Sequence, residues 1–358
     1  MVKAATNELV SQTESAYPRE YAPSWIDRLT AWVRRLPGQG WWLYLCVGLV
    51  SLALQIGVAW SDTNSFEWLR PSSVVIILLP FVLLAVTQYL DDAAETALAR
   101  FRPALTASRA EYHRLHYRLT TLPAVPVMLA TAGGALFGAS VLFLQDREFL
   151  LGIGLIMTPT AFLLQAVNYS VLWSLALVFA YHTIRQLWLV RYIYSVDTRI
   201  DLFDLRPIYA LSGLTARTAV VGILLANSWK WAVPDAELRS EHIALMLVVF
   251  LIALASFVVP LWGMHNMLVE EKARQQAELA RRMDTAIAEI KRRMDAGEVA
   301  EMEQMKNSME SLTLAQGVLE KVPTWPWQAD TIRAIATALL LPIMLWLIQR
   351  GLERFLVP

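Results

Sequence analysis

Runs of apolar residues alternate with polar, basic segments along nearly the whole chain. Seven runs approach or exceed the length that crosses a bilayer, whose hydrocarbon core is about 30 Å thick and takes about 20 helical residues. The runs are Trp41–Trp60, Ser72–Leu90, Ala124–Leu144, Phe149–Tyr181, Ile208–Ser228, His242–Leu261 and Ala334–Ile348. The pattern predicts an all-α polytopic membrane protein with seven transmembrane helices, because a helix satisfies its own backbone polar groups in lipid.

The fourth run is too long for one upright span. Phe149–Tyr181 contains 33 nearly uninterrupted apolar residues. Two arrangements fit: one long helix bent at Thr158–Pro159, or two spans that meet near 168–170. We favour one span because no turn sequence separates the halves.

The polar segment 264–324 shows the spacing of two helices that pack on each other. Apolar residues recur three and four positions apart, which is the pattern of a helix–helix seam. The first seam is Ala280, Met283, Ile287, Ile290 and Met294, and the second is Met302, Met305, Met309, Leu312 and Leu319. Asp295-Ala296-Gly297 separates the two seams, and the sequence therefore predicts an antiparallel helical hairpin. Pro323 and Pro326, with Trp325 and Trp327, indicate the return to the membrane surface.

The N-terminal region predicts a helix that lies on the membrane. Residues 1–23 are polar, and we expect them to be disordered. Six apolar residues then fall on one helical face: Trp25, Ile26, Leu29, Trp32, Val33 and Leu36. Arg28, Arg34 and Arg35 lie nearby, a composition typical of an interfacial amphipathic helix. In the third span, Gly134 and Gly138 have the spacing that lets two helices approach closely.

Composition and charge support this topology. The chain is 56% hydrophobic and 17% charged, and its formal net charge is zero. The segments assigned to the inner side, 1–40, 91–122, 182–208 and 265–330, contain 23 Lys and Arg, against 6 in the outer segments. This bias predicts an inner N-terminus and an outer C-terminus. Cys46 is the single cysteine, which excludes an intrachain disulfide and a multi-cysteine metal site.

These patterns divide the chain into four parts. Residues 1–40 form a cytoplasmic tail with the interfacial helix, and 41–263 contain the first six spans with their inner extensions. Residues 264–324 form the cytoplasmic hairpin, and 325–358 contain the seventh span and an outer C-terminus. We expect a multi-pass protein of the cell membrane.

In this layout the chain resembles the insect odorant and gustatory receptor superfamily. The likeness lies in seven spans, an inner N-terminus, short outer loops and a long inner excursion before the last span. The aromatic signature of the insect seventh span is not evident here. The resemblance implies a ligand-gated cation channel built as a homotetramer, with the seventh span lining the pore and the cytoplasmic helices forming an anchor.

If the seventh span lines a pore, one of its faces carries Asp330, Ala334, Thr337, Leu341 and Ile348. An acidic ring of Asp330 would favour cations, and Leu341 would form a hydrophobic constriction. Arg333 and Arg350 argue for anions instead. The alternative is that this span only packs against its neighbours.

Several polar residues within the apolar runs are candidates for a small-molecule pocket: Gln55, Gln165, Asn168, Tyr169, Trp173 and Asn227. Hydrogen bonding between helices is the alternative role for them. Arg217 is a charge within the fifth span. Such a residue indicates either a functional site or a side chain that snorkels to the inner surface.

Enzyme chemistry is not expected. His113 and His116 form the single closely spaced histidine pair, without a nearby carboxylate cluster, and no phosphate loop or nucleophile elbow appears. We expect no cofactor, no metal and no nucleic acid, and basic residues beside aromatic ones on the inner helices indicate anionic lipids as partners. The alternatives to a channel are a non-conducting scaffold or sensor whose hairpin binds partners, and a small-solute transporter.

Overall fold

The computed structural model describes residues 20–36, 40–66, 68–145, 150–151, 155, 158–195, 198–232, 240–296 and 302–356. The described part is all-α, apart from two isolated backbone bridges. The helices are α1 (Trp25–Arg35), α2 (Gly40–Thr63), α3 (Pro71–Phe101), α4 (Arg109–Thr120), α5 (Ala124–Leu144), α6 (Pro159–Ser195), α7 (Arg206–Ala232), α8 (Ser240–Asp295), α9 (Met302–Lys321) and α10 (Ala329–Leu356).

Six helices are long and apolar enough to cross a membrane among the described residues. They are α2, α3, α5, α6, α7 and the part of α8 from Leu251. The chain therefore has the composition of a multi-pass helical membrane protein. The predicted seventh span lies in α10, and several of its side chains beyond Leu341 lie outside the described residues. The count of seven and the orientation in the membrane stay predictions.

One helix, α6, occupies the fourth apolar run from Pro159 onward. It runs without a break through 168–170, so no turn divides the run there. The helix begins at the predicted bend, Thr158–Pro159, and residues 152–154 and 156–157 lie outside the described part. Leu150 and Leu155 pack against Leu142 and Tyr169 at the start of the helix. Proline suits the first position of a helix, where its missing N–H is not needed.

The largest cluster of buried side chains in the described part lies where α3, α6 and α8 extend beyond their apolar runs, and it continues into the apolar run of α7. We call this the inner end, because α4 and the α8–α9 pair, which were predicted to lie inside, contribute to it. Phe101, Tyr194 and Ile208 are buried in it together with Leu261 and Leu268 of α8. The ring of Phe101 meets that of Tyr194 edge-on at 5.6 Å, and the Tyr194 hydroxyl donates to the Ile208 carbonyl at 3.0 Å.

Close backbone contact joins α5 and α6, as the spacing of Gly134 and Gly138 predicted. A Cβ added at Gly134 would lie 2.4 Å from the Trp173 carbonyl oxygen and 2.5 Å from the Ser174 Cα. The Ser174 hydroxyl hydrogen-bonds the Thr131 carbonyl at 3.0 Å. The predicted close approach of two helix backbones is therefore confirmed.

Helices α8 and α9 contact each other at the place of the predicted hairpin. Helix α8 has 56 residues and ends at Asp295, and α9 packs against it. Ala280, Ile287 and Met294 of the predicted first seam are exposed, so these three residues do not form the contact. Gly297 lies outside the described residues. Lys272 Nζ donates to the carbonyls of Glu320 and Val322, both at 2.8 Å, where α9 ends. These bonds satisfy carbonyls that a helix C-terminus leaves free.

Stacked rings hold the segment between α9 and α10 against α8. His265 stacks on Trp325 with centroids 4.0 Å apart, and Trp325 stacks on Trp327 at 4.3 Å. Trp327 in turn stacks on Phe257 at 5.5 Å. The His265 ring is also 3.0 Å from the Thr324 carbonyl. The two tryptophans expected at the membrane surface thus fasten the start of α10 to α8.

Part of the N-terminal region that we expected to be disordered is fixed. The Tyr21 hydroxyl donates to the Thr121 carbonyl at 2.8 Å, and Glu20 accepts two hydrogen bonds from Arg118 at 2.6 and 2.9 Å. Burial raises the pKa of Tyr21 to about 12, against the opposing effect of Arg185, so its hydroxyl remains a donor. For residues 20–23 the expectation of disorder is wrong, and residues 1–19 lie outside the described part.

Replacing Gly134 by Ala should destabilise the protein by about 1–3 kcal/mol, because the new methyl group would overlap backbone atoms of α6. Gly133→Ala is the matched control, since a Cβ there would meet only Leu177 at 3.8 Å. The measurement is thermal unfolding in detergent. Equal melting temperatures for the two variants would contradict the predicted contact.

Candidate functional site

Four of the six residues predicted to form a ligand pocket line one small cavity near the outer ends of α2, α3 and α6. These four are Gln55, Gln165, Asn168 and Tyr169, and Ser73, Ile76, Ile77 and Leu155 complete the lining. The volume of the cavity is about 20 Å³. This is room for about one water molecule, far below the roughly 300–1,000 Å³ of ligand pockets.

Hydrogen-bonding capacity is left unused around this cavity. Gln55 is only 3% exposed, and its Oε1 atom has no partner among the described residues. The Ser72 hydroxyl and the Trp68 indole nitrogen are also buried without a described partner. Asn168 donates to the Ile76 carbonyl at 3.1 Å and so links α6 to α3. Buried polar atoms normally have partners, so the unpaired Oε1 of Gln55, which lines the cavity, makes it a candidate polar site.

The other two predicted pocket residues do not line the cavity. The ring of Trp173 meets that of Phe137 edge-on at 4.6 Å and contacts Gly138 at the junction of α5 and α6. Asn227 donates to the Ile223 carbonyl of its own helix at 2.8 Å. Trp173 therefore packs between α5 and α6, and Asn227 makes a hydrogen bond within its own helix.

The five predicted pore-lining residues share one exposed face of α10. Asp330, Ala334, Thr337, Leu341 and Ile348 are all exposed. Met344 is exposed as well and completes a stripe with spacing of four and three residues. Ile335 and Ala338 are buried on the adjoining side of the helix, and Ala338 packs with Ile223 of α7 and Ala253 of α8. The stripe thus forms one edge of a wider exposed surface, which also carries Ile332, Arg333 and Leu340.

The acidic end of this stripe is partly neutralised. Arg333 Nη1 is 3.3 Å from the Asp330 carboxylate, and both side chains are largely exposed. In water such a pair contributes little, but it reduces the charge that Asp330 presents. Arg350 lies among the residues whose side chains are not described.

Arg217 is exposed and lies level with the inner end of the apolar runs. The neighbouring Thr218 is 3.5 Å from Gln186, and Gln186 donates to the carbonyl of Leu90, the last residue of the second run. Arg217 makes no hydrogen bond or ion pair with the described residues. This depth fits a side chain that reaches lipid phosphates better than a charge at the centre of the membrane.

Sequence reasoning missed a buried ionisable pair between α3 and α6. His182 Nε2 is 2.8 Å from the Asp91 carboxylate, and the two side chains are 2% and 8% exposed. His182 Nδ1 is buried without a partner among the described residues. Asp91 and His182 each directly follow an apolar run, and both had been assigned to inner polar segments. The second and fourth spans run in the same direction, so the ends that these two residues follow lie at the same depth, and this was the available signal.

A wide groove lies at the inner end between α8 and the segment that precedes α7. Its volume is about 650 Å³, and its lining contains Arg199, Asp201, Glu270, Glu271 and Arg274. The charges are mixed, so the groove does not select one sign of ligand. Glu271 already accepts hydrogen bonds from Arg274 at 2.8 Å and Gln275 at 2.9 Å.

No metal cluster is found in the described part of the chain, where no group of three or more His, Cys, Asp or Glu side chains converges. His116 is 3.7 Å from Glu95 on an exposed face, and His113 stacks edge-on against Tyr112.

Comparisons with protein-family profiles, with curated proteins and with solved structures find no match to this chain.

Replacing His182 by Ala should destabilise the protein by about 3–5 kcal/mol, because it leaves the Asp91 carboxylate buried without its partner. His116→Ala removes a histidine from an exposed carboxylate pair and should cost less than about 1 kcal/mol. Thermal unfolding in detergent at neutral pH compares the two variants. If His182→Ala loses no more stability than His116→Ala, the buried pair does not hold α3 to α6.

Proposed function

We propose that this protein is a ligand-gated ion channel, formed by several copies of the chain with α10 lining a shared pore. The observation that supports it best is the exposed stripe of α10, which runs from an acid through a hydroxyl to large apolar side chains. In a homo-oligomer these residues form successive rings around the axis: Asp330 at the inner mouth, Thr337 above it, and Leu341, Met344 and Ile348 further out. The layout it shares with the insect receptor channels supports a tetramer.

In this proposal cations are the permeant ions, and residues at the inner mouth set the preference for cations over anions. Asp330 supplies a carboxylate ring, and Arg333 at 3.3 Å weakens it. Leu341 supplies the gate, because a narrow apolar ring excludes water until it widens. The inner N-terminus and outer C-terminus follow from the distribution of Lys and Arg.

The ligand position in this proposal is the polar cavity between α2, α3 and α6. Gln55 and Asn168 offer hydrogen-bonding groups there, and the outer ends of the helices must separate to admit more than a water molecule. Helix α7 connects this site to the pore, because it packs on α3 and also supports α10. Movement of α3 against α7 would thereby displace the pore helix.

A second candidate function is a non-conducting scaffold or sensor. The groove of about 650 Å³ at the inner end favours it, together with apolar side chains exposed on the hairpin, which include Ile287, Met294 and Leu314. A small-solute transporter is the third hypothesis. Both alternatives predict that the purified protein passes no unitary current.

Leu341→Ser should raise the current in the absence of ligand about tenfold, because a ring of hydroxyl groups hydrates the constriction. A tenfold change corresponds to about 1.4 kcal/mol in the equilibrium between closed and open channels. Leu340→Ser is the matched control, since Leu340 is exposed but lies off the stripe. Single-channel recording in planar bilayers makes the comparison. A parent chain and a Leu341→Ser variant that are both silent would reject the channel.

Ion selectivity should change in opposite directions when the two charges at the inner mouth are removed in turn. Arg333→Gln leaves the Asp330 carboxylate unpaired and should increase the preference for cations, whereas Asp330→Asn should decrease it. Reversal potentials in an asymmetric potassium chloride gradient measure the preference. Identical reversal potentials for both variants and the parent would place these residues outside the permeation path.

A further inference from the structure

Only part of the apolar face predicted for helix α1 meets the rest of the chain. Ile26, Thr30 and Val33 are buried against the rest of the chain. A stripe on the other side is exposed and alternates tryptophan with arginine: Trp25, Arg28, Trp32 and Arg35. The spacing of three, four and three residues places these four side chains along one line of the helix surface.

The orientation of α1 is fixed at both of its ends. Ser24 and Asp27 form a reciprocal capping pair at the N-terminus, and the Asp27 carboxylate also accepts the Leu122 backbone N–H at 3.0 Å. At the other end Arg34 forms an ion pair with Asp92 of α3. Because these bonds hold the buried face inward, the stripe of Trp25, Arg28, Trp32 and Arg35 cannot turn toward the protein.

The stripe lies at the depth of the membrane surface. The Trp25 indole donates to the Thr131 hydroxyl at 3.0 Å, about two turns into the span α5. Met128 and Leu129, less than one turn before Thr131, are exposed apolar residues of that span. The stripe thus borders the surface that lipid chains cover. Indole rings prefer this boundary between hydrocarbon and headgroups.

The two arginines of the stripe have no partner within the described part of the chain. Arg28 and Arg35 are exposed, and neither makes a hydrogen bond or an ion pair there. Guanidinium groups bind phosphate oxygens in a forked geometry, and two uncompensated positive charges favour a surface with net negative charge over a zwitterionic one. A lipid headgroup layer of that sign complements both the charge and the aromatic rings.

We propose that the stripe of α1 is a binding site for anionic phospholipid headgroups of the inner leaflet. Trp25 and Trp32 insert at the boundary of the hydrocarbon, and Arg28 and Arg35 bind the phosphates beside them. Helix α1 is bonded to α3 and to the start of α5, so the bound lipids also fasten these spans at the inner surface. This inference does not depend on whether the protein conducts ions.

The test compares lipid retention by the purified full-length protein in detergent. Phosphatidylglycerol and phosphatidylcholine are added in equal amounts, and bound lipid is counted by native mass spectrometry. The parent chain should retain phosphatidylglycerol preferentially. The double variant Arg28→Gln/Arg35→Gln should lose roughly tenfold or more of that preference, because it removes two phosphate contacts.

Two controls separate a site from a general charge effect. Arg274→Gln/Arg282→Gln removes the same charge from exposed positions on the hairpin and should keep the preference. Arg28→Lys/Arg35→Lys keeps the charge and should retain most of the preference for phosphatidylglycerol. An unchanged preference in Arg28→Gln/Arg35→Gln, or an equal loss in the hairpin variant, would overturn the proposal. Disulfide-linked dimers of Trp32→Cys in a Cys46→Ser background would also overturn it, since a second copy would then cover the stripe.

Discussion

Helices that lie in lipid gain little by burying apolar side chains against one another, because the surrounding hydrocarbon is as apolar as leucine. The spans of this protein therefore depend on contacts of another kind. Helices α5 and α6 meet backbone to backbone at Gly134, where no side chain fits between them. Helices α3 and α6 share the buried pair Asp91 and His182. Beyond these contacts, the bundle is held by the large apolar core at its inner end. The part of this core that lies beyond the apolar runs is stabilised by burial from water.

The same constraint explains which features the sequence could predict. Length and hydropathy are local properties, and they indicated the crossing helices, the hairpin and the exposed face of α10. The contact at Gly134 was predictable as well, because its cause is a spacing of small residues. The buried pair was not, since Asp91 and His182 are 91 positions apart and each looks like an ordinary polar residue at the end of a span. Periodicity placed the apolar residues of α1 on one side of the helix, but it cannot distinguish those that meet protein, Ile26 and Val33, from those that stay exposed, Trp25 and Trp32.

The residues of the candidate site also divide into those whose position the sequence could predict and those whose position it could not. Gln55, Gln165, Asn168 and Tyr169 lie around one cavity, as expected of polar residues in apolar helices, which turn toward one another in lipid. Asn227 is also a polar residue in an apolar helix, but its side chain donates to a carbonyl of its own helix. Such a local hydrogen bond competes with bonds between helices, and the sequence does not reveal which of the two forms. The volume of the cavity could not be foreseen, because it depends on how closely neighbouring helices approach.

The fastening of the chain at its inner end has a mechanical consequence. Lys272 holds the end of α9, and the stacked rings of His265, Trp325 and Trp327 hold the start of α10, so this end acts as a pivot. A helix of 28 residues is about 42 Å long at 1.5 Å per residue. A tilt of about 10° about such a pivot displaces the far tip by roughly 7 Å and leaves the base almost stationary. Movements of α10 should therefore have their greatest amplitude at the end farthest from this pivot, beyond the packing of Ala338 on Ile223 and Ala253.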